Sequence, residues 1–488
     1  PFQSCPGGLV LAMNKEFMIL DNIPVAINGE KNLLELIRKA GIELPTFCYY
    51  SELSVYGACR MCMVENKWGG MEAACSTPPR NGMEIYTNTP RLRKYRKMIL
   101  ELLLSNHCGE CTTCDKNGKC KLQELAARFD IHRVRFDNPK SKPCIDDSSV
   151  SITRDANKCI LCGDCVRVCN EVQNVGAIDF AFRGSKMKVA CSFDKPIGDS
   201  NCVGCGQCAA VCPTGAIIIK NDSHRLWKEL NQEDTIAVAQ VAPAVRVAVA
   251  KEFGYNGENV MGKIVAALRR IGFNYFFDTS TAADLTVMEE SKEFADRLAN
   301  GGKLPLFTSC CPAWSVMAKK LFPTLAPYIS MALTPMVLTA RMLKKDDPDA
   351  CIAFIGPCAA KKLEASRRTI RSDVDFVLTF EELMGMFNAK GVTFEDITDE
   401  EKVDLCEGTG DGRGFAVSGG VAKAVADVIH KLDPEREVKV VSAQGLKDCR
   451  KLLTLAKAGK YDGYLLEGMA CPGGCVAGAG TLQAVEKS

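Results

Sequence analysis

Short apolar runs at 17–20 and 25–27 flank one stretch, 33–40, whose leucines and isoleucine recur at helical spacing, ahead of a cysteine-bearing loop. Residues 91–104 repeat the helical pattern, a Gly- and Cys-rich stretch covers 107–120, and 122–129 is helical again. Residues 139–149 carry the polar and proline content of a linker. Between 152 and 221 one unit occurs twice: a cysteine triplet, a fourth cysteine, then an apolar strand at 177–180 and 216–219. After residue 222 the pattern becomes α/β, with β-rich runs at 236–241, 273–277, 305–308, 351–355, 374–379, 438–442 and 464–466 alternating with helical periods. That alternation predicts mixed or parallel sheets covered on both faces. Several of these strands lead straight into Pro243, Cys310–Cys311, Cys358 and Cys471, so their loops are expected to converge at the carboxyl ends of the sheets.

At 488 residues the chain is long enough for two to four domains. Lys and Arg total 61 against 59 Asp and Glu, and with no block of either sign nucleic acid and membrane surfaces are not expected partners. The longest apolar stretch, 237–250, is broken by Gln240, Pro243 and Arg246, short of the roughly 20 residues a spanning helix needs, so a soluble chain is expected. Residues 1–12 read as an appended remnant, since the chain begins with Pro and resembles a natural start only from Met13. Twenty-seven cysteines in so long a chain, mostly grouped as Cys-x₂-Cys, fit thiolates kept reduced for metal in the cytoplasm better than disulfides.

Four cysteine sets precede residue 222. Cys48, Cys59, Cys62 and Cys75 lie in a glycine-containing loop resembling that of plant-type [2Fe–2S] ferredoxins, with a different middle spacing; the surrounding pattern suits a β-grasp domain. A structural zinc site would use the same four thiolates. His107, Cys111, Cys114 and Cys120 resemble a His/Cys₃ [4Fe–4S] site, with Cys108 as the competitor for His107. Cys159, Cys162, Cys165 and Cys169, then Cys202, Cys205, Cys208 and Cys212, have the spacing of two-cluster bacterial ferredoxins, in which Cys212 would complete the first [4Fe–4S] cluster and Cys169 the second. Four clusters in one chain make sense as a relay to something buried.

Thr308-Ser-Cys-Cys-Pro-Ala-Trp314, Gly356-Pro-Cys-Ala-Ala-Lys-Lys-Leu-Glu364 and Glu467-Gly-Met-Ala-Cys-Pro-Gly-Gly-Cys475 are similar to the three signature segments of [FeFe]-hydrogenases, and the resemblance runs from about Met13 to Gly480. It implies an H-cluster: a [4Fe–4S] cubane on Cys311, Cys358, Cys471 and Cys475, with Cys475 bridging to a diiron subsite carrying CO, CN⁻ and a dithiolate. Lys361 would meet a cyanide. Pro243, Ala244, Phe415 and Met469 would wall the diiron unit, and Cys310 would pass a proton to it. Glu290, Glu293 and Arg297 share one edge of a helix predicted over 281–300, beside the apolar stripe Ala283, Val287 and Phe294. A solvated face with a Glu293–Arg297 pair has the same spacing; the resemblance instead implies a proton path through Arg297, Glu293, Ser330, Glu290 and Cys310.

Gly356, Leu333 and Met336 depart from the family pattern, where well-studied members carry Met at the first position and polar residues at the other two. The glycine-rich segment 408–414 follows an acidic stretch rather than a strand and reads as a flexible loop, not a nucleotide site. Cys5, Cys108, Cys144, Cys191, Cys351, Cys406 and Cys449 carry no assigned role. The expected architecture is multidomain α+β and α/β. Residues 13–90 would form a β-grasp [2Fe–2S] domain, 91–140 a small His/Cys cluster domain, 141–222 a two-[4Fe–4S] ferredoxin domain, and 223–488 a two-lobed α/β catalytic domain. The expected activity is reversible proton reduction to H₂ by a cytoplasmic monomer, served by a ferredoxin or flavodoxin-like carrier and by maturation enzymes for the diiron subsite. A hydrogen sensor, or a cluster-carrying relative without diiron, are the alternatives.

Overall fold

The computed structural model describes residues 16–137, 145–252, 254, 260–367, 372–398 and 408–482. The proposed remnant at 1–12 and Cys5, Cys144 and Cys406 lie outside these residues. Among the described residues no helix is long and apolar enough to cross a membrane.

The first sheet has the strand order Ile23–Ala26, Phe17–Leu20, Glu84–Tyr86, Met63–Asn66, Met71–Ala73. Asp21 and Asn22, both at positive φ, turn the first hairpin, which suits residue types that tolerate the left-handed region. The helix Leu33–Lys39 starts at Asn32, whose side chain accepts from the Glu35 N–H, and it buries Leu33, Leu34, Leu36 and Ile37 against this sheet. Thr89 caps the next helix, Pro90–Ser105, with Pro at its first position. Buried Arg96 on that helix donates to the carbonyls of Met61 (3.1 Å) and Met63 (2.6 Å), either side of Cys62.

The doubled sequence unit folds as two crossed halves. Ile152–Arg154 pairs antiparallel with Ile217–Ile219, and the short helices Asp164–Arg167 and Gln207–Ala210 follow Gly163 and Gly206, at φ 80° and 76°. A left-handed residue lies inside each Cys-x₂-Cys group of this unit, supplied by glycine in three and by Leu161 at φ 57° in the fourth. Residues 145–149, expected as linker, are built into this unit: Asp146 pairs with Arg154 through backbone and side chain and accepts from the Ile197 N–H, and Ser149 is buried.

Beyond residue 222 two parallel sheets form. One has the order Tyr275–Asp278, Ala237–Val241, Cys351–Ile355, Phe376–Leu378; the other Leu306–Phe307, Leu465–Met469, Val440–Gln444. Ala237–Val241, Cys351–Ile355 and Leu465–Met469 are buried along their whole length, which fits their mostly apolar or small residues, with Gln240 and Glu467 the buried polar exceptions. The helix Thr279–Ala299 is held at its start by Asp278, which accepts from the Ser280 N–H, and it buries Ala283, Val287 and Phe294.

The segment 408–414 is not the open loop expected from its glycines. Thr409 caps a helical turn, Gly410–Arg413, and also bonds the Asp284 carboxylate through its N–H (2.8 Å) and hydroxyl (2.6 Å). A β-carbon at Gly408 or Gly412 would strike the Ser280 backbone, so glycine here serves close packing rather than freedom.

Candidate active site

Cys48, Cys59, Cys62 and Cys75 are buried together beside the first sheet. The Phe47 N–H donates to the Cys59 sulfur and the Cys59 N–H to the Cys48 sulfur, both at 3.4 Å. The Cys48 and Cys59 side chains are themselves hydrogen-bonded, which holds Cys59 down to about 6 and pushes Cys48 up. Tyr50 of the same loop donates to the Val211 carbonyl (3.3 Å), and Arg167 donates to the Cys48 carbonyl (3.0 Å), so this loop is bolted to the ferredoxin-like unit.

Burial lowers the His107 pKa, and its Nδ1 accepts from the Gly109 N–H at 3.0 Å. Burial and then the charges of Cys120, Cys114 and Cys108 raise the Cys111 pKa, so Cys108 stands within the electrostatic reach of the trio beside His107. The Cys120 thiol points to the Pro213 carbonyl (3.8 Å), and a β-carbon on Gly215 would lie 2.7 Å from the Cys114 sulfur. This set therefore abuts the strand end that follows Cys212.

In the doubled unit Cys159, Cys162 and Cys165 line one cavity with Cys212, and Cys202, Cys205 and Cys208 line a second with Cys169. The crossed pairing puts each fourth cysteine with the other triplet.

Cys311, Cys358, Cys471 and Cys475 come from three loops at strand ends and line one cavity of about 90 Å³. Cys310, Lys361, Pro243, Ala244, Phe415 and Met469 share its wall, which is almost wholly apolar. Burial raises the Cys311, Cys358, Cys471 and Cys475 pKa values, Cys358 to about 11, while the Lys361 charge pulls Cys311, Cys358 and Cys475 back. Four soft sulfurs meeting one cation in a dry space fit an anionic thiolate-held cluster, since a buried anion needs paired charge and donors. The Ala470 N–H aimed at the Cys311 sulfur (3.4 Å) is such a donor.

A series of polar side chains leads from Arg297 to Glu290, whose charge acts on Cys310 of the cavity wall. Arg297 Nη2 meets Glu293 Oε1 at 2.5 Å, and the Ser330 hydroxyl donates to Glu293 Oε2 at 2.7 Å. Fully buried Glu290 accepts from the Ser309 N–H (3.0 Å) and hydroxyl (3.3 Å) on Oε1, while its Oε2 has no partner among the described residues. Burial pushes the Glu290 pKa up to about 7 against the pull of these donors and of Ser330. Burial, then the Glu290 charge, raises the Cys310 thiol. The Glu293–Arg297 pair of a solvated face is present, but Glu290 on the same edge is buried.

Sequence reasoning passed over four contributors. Ser309 sits inside a quoted motif, yet only the fold reveals its two hydrogen bonds to Glu290. Glu364 closes the motif of Lys361 and binds it: Lys361 Nζ meets Glu364 Oε2 at 2.7 Å, and Thr334 donates to Oε1 at 2.9 Å. Phe354 lines the cavity, and a β-carbon at Gly356 would stand 2.7 Å from its ring, so the glycine makes room for the phenyl group. Cys449, unassigned from sequence, is buried with its thiol on the carbonyls of Met469 (3.5 Å) and Ala443 (3.6 Å), behind the cavity wall. Of the departures, Met336 lines the cavity, whereas Leu333 packs beside it and its carbonyl accepts from Thr286.

Residues 235–479 match the family described as "Iron only hydrogenase large subunit, C-terminal domain". Residues 17–90 match a 2Fe-2S iron-sulfur cluster binding domain, 96–135 the NADH-ubiquinone oxidoreductase-G iron-sulfur binding region, and 158–216 a 4Fe-4S dicluster domain. The NADP-reducing hydrogenase subunit HndD of Solidesulfovibrio fructosivorans is 34% identical over 94% of this chain and 88% of its own. Iron hydrogenase 1 of Clostridium pasteurianum is 29% identical over 95% and 88%. The periplasmic [Fe] hydrogenase large subunit of Nitratidesulfovibrio vulgaris is 31% identical over 58% and 85%. With half its length in the catalytic family and iron–sulfur domains before it, the chain belongs to the iron-only hydrogenases, oxidoreductases acting on H₂.

Proposed function

We propose that this chain catalyses 2H⁺ + 2e⁻ ⇌ H₂ at an H-cluster held by Cys311, Cys358, Cys471 and Cys475. Electrons would reach it through one [2Fe–2S] and three [4Fe–4S] clusters on the four N-terminal cysteine sets, in domains bounded as the sequence suggests. The observation that carries the reading is the single apolar cavity that gathers these four cysteines with Cys310 and Lys361. When bound, the H-cluster supplies the redox centre where protons and electrons combine.

The chain's own residues have separable tasks. Lys361, held by Glu364, would offer a fixed cation to a cyanide of the anionic group. Pro243, Ala244, Phe415 and Met469 exclude water. Cys310 would hold a proton at Sγ inside the cavity, and Glu290, with its pKa pushed up to about 7, would exchange protons through Ser330 with Glu293, whose carboxylate Arg297 fixes. The electron donor would be a ferredoxin or flavodoxin-like carrier, the diiron subsite would come from maturation enzymes, and the protein would work as a cytoplasmic monomer. A second reading, permitted by Gly356 and Met336, is a slow enzyme that senses H₂.

Anaerobically matured protein is expected to show CO and CN⁻ infrared bands and to turn over with reduced viologen. Bands without turnover would favour the sensor. No bands, under maturation that loads a control hydrogenase, would overturn the proposal.

A further inference from the structure

We propose that the Gln207 side-chain amide tunes the reduction potential of the catalytic cubane, and so governs the last electron step. Gln207 lies in the ferredoxin-like unit, yet its Nε2 sits 3.3 Å from the Cys471 sulfur and 3.4 Å from the Ala477 carbonyl. It is the one residue beside an accessory set whose side chain donates to a sulfur of the catalytic set among the described hydrogen bonds. The segment around it is the shared partition of two cavities. Cys205 lines both the cavity of Cys169, Cys202 and Cys208 and the catalytic cavity, while Gln207 lines the first. Gly206 brings the partition close: a β-carbon there would stand 2.6 Å from that of Ala359 and 2.9 Å from that of Ala479. Any side chain at 206 would prise the two sets apart.

The inference rests on the proposed assignment of Cys471 as a cubane ligand. An N–H donor on a ligand sulfur stabilises the extra negative charge of the reduced cluster and so raises its potential. Gln207 therefore acts through Cys471 as a positioning residue, from the side on which electrons arrive. A merely structural role, docking the helix Gln207–Ala210 on the Ala477 carbonyl, would leave the potential alone.

The test uses the full chain reconstituted with iron and sulfide but without diiron maturation, titrated with dithionite under paramagnetic resonance. The catalytic cubane is identified as the signal that Cys358→Ala removes; if that variant removes none, the ligand assignment itself fails. In Gln207→Leu the cubane is expected to titrate at a more negative potential, with about a tenfold fall in its reduced-to-oxidised ratio at fixed potential, which is about 59 mV for one electron. Gln207→Met, which keeps the length and removes the donor, must move it the same way. An unchanged or more positive midpoint, a shift confined to the accessory signals, or loss of the cubane from both variants would overturn the proposal.

Discussion

Under the proposed function, the two walls through which the catalytic cavity would be supplied are built on opposite rules. On the electron side Cys205, Gly206 and Gln207 present sulfur, a bare backbone and one amide, and the wall works by closeness. On the proton side Arg297, Glu293, Ser330, Glu290 and Ser309 present a near-continuous series of polar atoms, with hydrogen bonds of 2.5 to 3.3 Å. An electron crosses packed matter whatever groups fill it, whereas a proton needs an occupied site at every step. Removing one polar atom should therefore cost turnover severely on the second wall, whereas on the first it should shift a potential, as at Gln207, rather than stop transfer.

The sharpest break is expected at the inner end of the proton wall. Cys310→Ala should cut turnover by about 10²- to 10⁴-fold, the range that general acid–base groups supply, with iron content unchanged. Iron loss or full activity would remove Cys310 from the path. Glu290→Gln should cost about 10²-fold by the same reasoning, and it carries a pH signature. With a pKa near 7, Glu290 is protonated below that pH and ionised above it. H₂ uptake needs it to accept a proton, so uptake should fall as pH drops below 7; H₂ evolution needs it to donate, so evolution should fall as pH rises above 7. Glu290→Gln should lose both limbs in pH–rate profiles taken in each direction.

The difference between the walls also governed what could be read in advance. The accessory cysteines stand out because they fall in short local spacings, and the resemblance to two-cluster ferredoxins implies the crossed partnering of Cys169 and Cys212 that the two cavities repeat. The catalytic cysteines sit on separate strand ends, so only their resemblance to family motifs joined them before the fold did. Ser309 and Glu364 lay inside those motifs without a visible partner, because their contacts to Glu290 and Lys361 depend on a helix crossing and on a helical turn of the right phase. Gly408 to Gly414 misled for the complementary reason: glycine signals permissive backbone, and nothing local says that a Ser280 backbone waits where a side chain would go. Gly356 is the same lesson at the cavity, since its meaning lies in Phe354 two residues earlier.

Ser309→Ala tests a half-break of the proton wall. Glu290 would keep the Ser309 N–H and lose the hydroxyl, a bond worth about 1–1.5 kcal/mol, so about a tenfold loss of turnover is expected. The hydroxyl lowers the Glu290 pKa, so its removal should raise that pKa and carry the acid limb of H₂ uptake to higher pH. An unshifted limb would mean that the limb reports another group.

The smallest effect is expected from the electron wall at Lys320. Its Nζ donates to the carbonyls of Ser200 (2.9 Å) and Cys202 (2.8 Å), tying the helix Pro312–Leu321, which starts beside Cys311, to the loop of the last accessory set. Both bonds are exposed, where water replaces a lost partner at little cost. Lys320→Met should therefore lower viologen-driven turnover by only about two- to threefold, the scale of one exposed interaction. Added salt should narrow the gap between parent and variant, because an exposed charge is screened, while the loss in Ser309→Ala around buried Glu290 should persist. If Lys320→Met cost more than Ser309→Ala at the same pH and salt, closeness would not be what the electron wall provides, and the contrast between the two walls would fall.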